Sequence, residues 1–279
     1  MTDWIDAHHH LWKYDPDQYP WMSDRMSGLR QDHGLDMFKG VAQPLGVTGS
    51  VAVQARQIVE ETDYLMHIAE HDDFVRGVVG WLPLIAPDVE EYIDRFAHRP
   101  KLKGLRHVLH DEPDAFYMLR DDFNNGVTKL KHHGLTYDLL IFPDHLPQAL
   151  IFVDRHPEQV FIVDHIAKPS ITTGAMEPWK TGLRDLAKRE NVICKISGMM
   201  TEARWDGWSD DDFTPYLDAV LEAFRPERLM FGSDWPVMTM AGHYADWMRI
   251  VRSWSARLSG SEMNAIRIST ATRIYSLGD

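Results

Sequence analysis

The sequence predicts an α/β protein in which eight parallel strands, each followed by a helix, close into a (β/α)8 TIM barrel. Eight short apolar runs alternate with stretches whose apolar residues recur at helical spacing, and parallel strands require such crossovers. Titratable residues directly follow several of these runs, where barrel enzymes keep their catalytic groups. The 279 residues, 44% of them apolar, suffice for one domain spanning 1–279.

The spacing of apolar residues and the positions of prolines define the predicted strands and helices. The predicted strands are residues 4–7, 50–54, 75–81, 102–107, 137–142, 160–165, 192–196 and 229–231. Pro83 and Pro143 follow the third and fifth strands, and Pro236 prevents the eighth from continuing. Helical spacing is clear in 60–71 and in the amphipathic stretch 213–224. The connection 12–49 is unusually long, and we expect it to contribute to the active-site mouth.

Charge and composition disfavour some classes of binding partner. The chain carries 29 basic and 42 acidic side chains, a net charge of −13, which disfavours nucleic acid and anionic membranes. No apolar run reaches the length of a membrane span and the N-terminus lacks the features of a signal peptide, so we expect a cytoplasmic protein. Cys194 is the only cysteine, so no internal disulfide forms.

The polar residues at the strand ends predict one functional site. His8 and His10 lie two residues apart and should share one side of an extended chain, with His9 on the other. The other strand ends contribute Arg106, His107, His165, Lys195, Ser197 and Asp234. Each has a simpler interpretation, such as a helix cap or a surface ion pair with Asp164 or Asp111. Together they indicate a site at one rim of the barrel.

Four segments carry a resemblance to a known family. They are residues 6–12 (DAHHHLW), 164–169 (DHIAKP), 195–198 (KISG) and 232–236 (GSDWP). They resemble the amidohydrolase superfamily and, more narrowly, its branch of sugar-lactone hydrolases, which includes L-fuconolactonase-like and L-rhamnonolactonase-like enzymes. The resemblance spans almost the whole chain, and it leaves the sugar and the ring size open.

The resemblance is incomplete at the metal ligands. The superfamily usually binds one or two divalent metals through histidines on strands one, five and six, a Lys or Glu on strand four and an Asp on strand eight. Here strand five has no histidine, and strand four offers Arg106 and His107. Similar lactonases work without a metal, so we expect no cofactor to be required. The alternative is one divalent metal, zinc, held by His8, His10 and Asp234.

The resemblance implies hydrolysis of a sugar-acid lactone, such as L-fucono-, L-rhamnono- or galactonolactone, to the open acid. A lactone is an activated ester, so a positioned water, a base and stabilisation of the oxyanion suffice. We expect Asp234 to be the base, with His8, His10 and His165 polarising the carbonyl. The residues expected to contact the substrate are Arg106, His107, Lys168 and Lys195 through polar groups, and Trp81 and Trp235 through apolar faces.

Other functions remain open at this point. One is a zinc-dependent amidohydrolase or deaminase that acts on a C–N bond, and another is a lactone isomerase. A non-enzymatic alternative is a carbohydrate-binding barrel whose site has decayed. The expected partner is a small-molecule sugar lactone, and the oligomeric state is open, with a homodimer as one option.

Overall fold

Eight parallel strands form one sheet in which each strand pairs with the next along the chain. The computed structural model describes residues 3–278. The strands are β1 (Trp4–His9), β2 (Val47–Val53), β3 (Val75–Gly80), β4 (Leu102–His107), β5 (Thr136–Leu139), β6 (Phe161–Val163), β7 (Val192–Ile196) and β8 (Leu229–Phe231). All eight predicted strands are present, and their ends differ from the prediction by a few residues. The predicted (β/α)8 barrel is confirmed.

Helices surround this sheet. They are α1 (Leu35–Ala42), α2 (Val59–His71), α3 (Val89–Ala97), α4 (Asp121–Leu130), α5 (Leu146–Arg155), α6 (Trp179–Leu186), α7 (Met199–Glu202), α8 (Asp210–Phe224), α9 (Tyr244–Ser255), α10 (Gly260–Asn264) and α11 (Thr270–Ile274). Their apolar stripes face the strands. In α8, for example, Phe213, Leu217 and Val220 are fully buried, which matches a period of 3.6 residues. Within residues 3–278, no helix has both the length and the apolar character needed to cross a membrane.

The barrel closes between the segments that follow β8 and the end of β1. The Asp234 amide donates a hydrogen bond to the His8 carbonyl (2.8 Å), and the His10 amide donates to the Trp235 carbonyl (2.6 Å). The backbone that completes the barrel therefore also brings His8 and His10 beside Asp234.

The barrel has an inner core and an outer core. Ile5, Val51, Ile162, Ile193 and Met230 belong to the inner cluster, and the outer one lies between the strands and the helices. Three residues near the C-terminus also belong to the inner cluster: Ala271, Tyr275 and Leu277. The chain end therefore packs against the inner faces of the strands, beneath the polar residues at the strand ends.

The long connection between β1 and β2 is ordered by its own aromatic cluster. Trp12, Tyr19, Met22 and Leu29 pack together, and Trp12 forms backbone hydrogen bonds with His33 in both directions (2.9 and 3.0 Å). The His33 ring lies 5.3 Å from that of Trp235, edge to face. This contact places the connection beside the segment that carries Asp234.

Candidate active site

A β-bulge in β1 directs His8, and His10 just after the strand, toward Asp234. Asp6 pairs with Ser50 but His9 pairs with Ala52, so β1 has one extra residue between these two pairs, and such bulges redirect side chains next to functional sites. His9 points away, stacking on Phe38 with ring centroids 3.9 Å apart. His8 and His10 point to Asp234, so the two-residue spacing predicted their common side.

Asp234 is the point on which three imidazoles converge. Its Oδ1 lies 3.2 Å from Nε2 of His10, 3.7 Å from Nε2 of His165 and 3.8 Å from Nε2 of His8. All four side chains are buried. Asp234 itself has a φ of +64°, a left-handed conformation that Asp and Asn adopt more easily than most residues.

The Nδ1 atoms of His10 and His165, on the other side of each ring, also have hydrogen-bond partners. Nδ1 of His10 lies 2.8 Å from the Val53 carbonyl oxygen, and Nδ1 of His165 lies 2.9 Å from Ser197 Oγ. Because a carbonyl oxygen only accepts, the Nδ1 of His10 must carry the proton. In the neutral ring, Nε2 then directs a lone pair at Asp234 Oδ1, only 3.2 Å away. Two acceptors at this distance need a cation or a proton between them.

Two glycines make room for the histidines. A Cβ added at Gly232 would lie 2.7 Å from the Cβ of His8, and one at Gly198, where φ is +63°, would lie 2.4 Å from Nδ1 of His165. His165 itself begins a run of four non-glycine residues, 165–168, with φ between +48° and +59°. Such conformations cost about 1–2 kcal/mol each and occur at functional sites.

A cluster of buried charges lies directly beneath the histidines. Lys195 Nζ is 2.5 Å from Asp138 Oδ2 and 3.1 Å from Asp164 Oδ1, while Arg106 Nη1 is 3.1 Å from Asp164 Oδ2. The Asp164 carboxylate also approaches His8, whose Nδ1 lies 3.3 Å from Oδ1. Asp164 is therefore a fully buried centre of the cluster, not the rim acid that the sequence suggested. The sequence motifs did not predict that Asp138 belongs to the site.

Burial and neighbouring charges set the protonation states. Burial lowers the pKa of His8 well below its usual value, and Lys195 and Arg106 lower it further. Burial alone would raise the pKa of Asp234, but His165, His10 and Lys168 bring it below its ordinary value. At neutral pH the site therefore presents a neutral His8 imidazole and an ionised Asp234.

The remaining predicted residues occupy different places around this centre. Arg106 Nη1 lies 3.3 Å from Nε2 of His8, and Lys168 Nζ pairs with Glu202 at 2.5 Å. The Lys195 ammonium is enclosed with its two carboxylates at 0% exposure.

His107 and the two tryptophans lie farther out. His107 accepts a hydrogen bond from Trp81 Nε1 (3.1 Å), contacts Glu112 (2.6 Å) and stacks on Tyr117. Trp235 packs on Phe38, with ring centroids 5.3 Å apart. Of the predicted substrate contacts, Arg106, Lys168 and Lys195 are therefore the ones whose charges bear on the histidines and Asp234.

Comparison with known proteins identifies the family. A family model for amidohydrolases matches residues 5–277. The chain belongs to the amidohydrolase family. The resemblance inferred from the sequence motifs is confirmed.

Relatives of this amidohydrolase have named activities. L-fucono-1,5-lactonase from Burkholderia multivorans is 38% identical over 284 aligned residues, which cover 98% of this chain and 96% of the relative. L-rhamnono-gamma-lactonase from Scheffersomyces stipitis is 26% identical over 180 residues, covering 56% of this chain and 53% of the relative. A crystal structure of an amidohydrolase from Burkholderia multivorans with bound zinc is 36% identical, with a TM-score of 0.96, and covers 99% of this chain and 100% of that one.

These findings correct the prediction about the cofactor. The expectation that the site requires no metal is wrong, because a closely similar amidohydrolase structure contains zinc. In this chain, ligand atoms of His8, His10 and Asp234 all lie within 4.8 Å of one another. The missing histidine on strand five excludes the usual binuclear ligand set, but it leaves a three-residue set of the kind found in catalytic zinc sites.

Proposed function

We propose that this amidohydrolase hydrolyses the lactone of a sugar acid to the open-chain acid. The convergence of three imidazole Nε2 atoms on one carboxylate oxygen of Asp234 carries the proposal. The sequence-based prediction of a sugar lactonase agrees with the two relatives named as lactonases. L-Fucono-1,5-lactone is the first substrate to test, because the relative named for it aligns over nearly the full chain.

Asp234 is the proposed general base. Its lowered pKa keeps it ionised at neutral pH, and it is the acceptor on which the histidines converge. It takes a proton from water as the water oxygen bonds to the lactone carbonyl carbon. When the ring C–O bond breaks, the protonated Asp234 returns the proton to the departing ring oxygen, and the open acid results. A base of this kind contributes about 100- to 10,000-fold to the rate.

The donor set fits a single divalent metal, and we propose zinc held by His8, His10 and Asp234. Metal ligands must be neutral imidazoles and carboxylates, which is the state that burial imposes on His8. His10 Nε2 and Asp234 Oδ1 lie 3.2 Å apart, a contact that either a bound cation or a shared proton can satisfy. When bound, zinc would lower the pKa of water and polarise a carbonyl.

Other residues bind and orient the substrate in this proposal. The Lys168 ammonium, held by Glu202, is close enough to lower the pKa of Asp234, so it can stabilise an oxyanion or contact a hydroxyl beside the base. His165, which Ser197 orients, directs Nε2 to the same region and can polarise the carbonyl. Arg106 adds a permanent positive charge beside His8.

The test is a panel of aldonolactones with five- and six-membered rings, assayed with a pH indicator. We expect acid release from at least one six-membered sugar lactone, and no release of amine or ammonia from amides of the same acids. Cleavage of the amides without cleavage of the lactones would replace the proposal with C–N bond hydrolysis. Interconversion of the two ring sizes without acid release would indicate an isomerase.

A further inference from the structure

A continuous chain of polar contacts connects the bottom of the barrel to the proposed metal site. Tyr275, which directly follows α11, donates a hydrogen bond from its hydroxyl to Asp138 Oδ2 (2.9 Å). The same oxygen lies 2.5 Å from Lys195 Nζ, which lies 3.1 Å from Asp164 Oδ1. That carboxylate oxygen is 3.3 Å from Nδ1 of His8, and Lys195 Nζ also lies 3.3 Å from the same ring nitrogen.

Each member of this chain is enclosed by protein. Tyr275 is 1% exposed, and Asp138, Asp164, Lys195 and His8 are 0% exposed. With Arg106, the cluster contains two anions and two cations, so its ionised side chains balance. Buried charges persist only when they are paired and hydrogen-bonded. The geometry of each charge is therefore set largely by its protein neighbours.

Tyr275 decides how Lys195 is shared. Its hydroxyl donates to Asp138, so the Lys195 ammonium is shared among the carboxylates of Asp138 and Asp164 and Nδ1 of His8. Without the hydroxyl, Asp138 loses one of the donors that fix its carboxylate, so the carboxylate and the ammonium bound to it can shift together, which weakens the contact between Lys195 and Asp164. Asp164 then loses a partner on the oxygen that faces Nδ1 of His8.

We propose that Tyr275 is a positioning residue for the active site: through Asp138, Lys195 and Asp164 it fixes the orientation in which His8 directs Nε2 to Asp234. The proposal rests on the proposed function for the identity of His8 as a metal ligand. It also gives Lys195 a task that differs from the substrate contact predicted from the sequence. Partners that orient a ligand histidine typically contribute tenfold to 100-fold to metal affinity or activity.

Tyr275→Phe and Tyr137→Phe form a matched pair. Each removes one hydroxyl from a fully buried tyrosine, but Tyr137 makes no hydrogen bond to the four charged side chains of the cluster within the described structure. The first measurement is the 15N spectrum of the histidine rings in the full-length protein as purified, with His8 assigned from a His8→Gln variant. We expect the His8 ring signals to shift in Tyr275→Phe and to keep their positions in Tyr137→Phe. Unchanged His8 signals in Tyr275→Phe would overturn the proposal.

The second measurement is zinc affinity by competition with a chromophoric chelator, together with the visible absorption of the cobalt-substituted protein. Tyr275→Phe should bind zinc several-fold more weakly and alter the cobalt spectrum, and Tyr137→Phe should do neither. The double variant Asp138→Asn/Lys195→Met keeps the interior neutral and should lose at least about tenfold in zinc affinity. Wild-type affinity in the double variant would contradict the proposal.

These measurements separate this proposal from the proposed function. Neither uses a lactone, so the absence of lactonase activity would leave the expected results for Tyr275 unchanged. If the enzyme does hydrolyse lactones, Tyr275→Phe should lower kcat and leave KM close to the wild-type value, because the hydroxyl lies below the histidines and away from the mouth.

Discussion

Replacing Asp234 with asparagine is the most direct test of the catalytic proposal. The side chain keeps its size and loses its charge and its ability to accept a proton. Asparagine also tolerates the left-handed φ of +64° at this position, and the backbone hydrogen bond from residue 234 to the His8 carbonyl is kept. We therefore expect Asp234→Asn to fold, with a stability change of about 1 kcal/mol for the altered contact with His10.

The expected loss of activity is much larger than this change in stability. A general base contributes about 100- to 10,000-fold to the rate, which corresponds to about 3–5 kcal/mol of the barrier. The contacts in the structure indicate that the loss falls on kcat, because the three Nε2 atoms would face a neutral amide instead of a carboxylate. We expect a kcat at least about 100-fold below that of the wild type.

The assay is the initial rate of acid release from the best lactone of the panel, together with the melting temperature and the zinc content. Asp111→Asn serves as the control, because it removes a carboxylate outside the histidine centre. A folded Asp234→Asn protein with nearly wild-type turnover would refute the assignment and move the base to a histidine. A normal rate in the control excludes a general effect of removing acidic charge.

Three further predictions follow from the same contacts. His10→Ala removes one of three proposed ligands and should lower zinc affinity at least tenfold by chelator competition; unchanged affinity would exclude His10 as a ligand. Burial lowers the pKa of His110 to about 3, so the unfolded chain binds a proton from pH 6.5 downward while the folded one does not; stability should fall between pH 6.5 and 3. Between pH 8 and pH 5, the free energy of unfolding measured in urea should fall by about 2 kcal/mol less in His110→Phe than in the wild type. Equal decreases in the two proteins would contradict this. Gly198→Ala and Gly174→Ala both place a side chain at positive φ, but only the Cβ at Gly198 meets a histidine. The positive φ should destabilise each variant by about 1–2 kcal/mol, and Gly198→Ala should lose more stability because its Cβ displaces His165. Only Gly198→Ala should lose turnover, which equal rates would disprove.

The strands were predictable because their signals are local. Pro83 and Pro143 follow the third and fifth strands within a few residues, and the apolar runs have the length of buried parallel strands. The strand ends were less predictable. β6 ends at Val163 because the next residues turn. Residues 165–168 have a left-handed backbone, and the sequence gives no sign of it because the segment contains no glycine.

The buried charges were harder to find, because each depends on a partner far away in the sequence. Asp138 is 57 positions from Lys195 and 137 from Tyr275. Within its own strand it resembles an isolated defect in an apolar run. A signal was nevertheless present: charges of opposite sign stand within otherwise apolar strands, at Asp138 and Lys195. Because an unpaired charge is too costly in a barrel interior, such residues can be expected to find one another.

The prediction about the metal failed for a reason that the geometry makes plain. The sequence-based prediction compared the metal-ligating side chains of this chain with the full ligand set of the superfamily. In that comparison strand five lacks a ligand. The tendency of the remaining ligands to bind a cation depends instead on where their lone pairs point. For His10 that direction is fixed by the carbonyl oxygen of Val53, 2.8 Å from Nδ1, which no motif contains. β2 supplies this carbonyl as part of its backbone, so the same contact would persist if Val53 were another residue. Removing a bound cation should therefore take away the group that holds His10 Nε2 and Asp234 Oδ1 together, and the two side chains should lie farther apart in a crystal structure without zinc than in one with it.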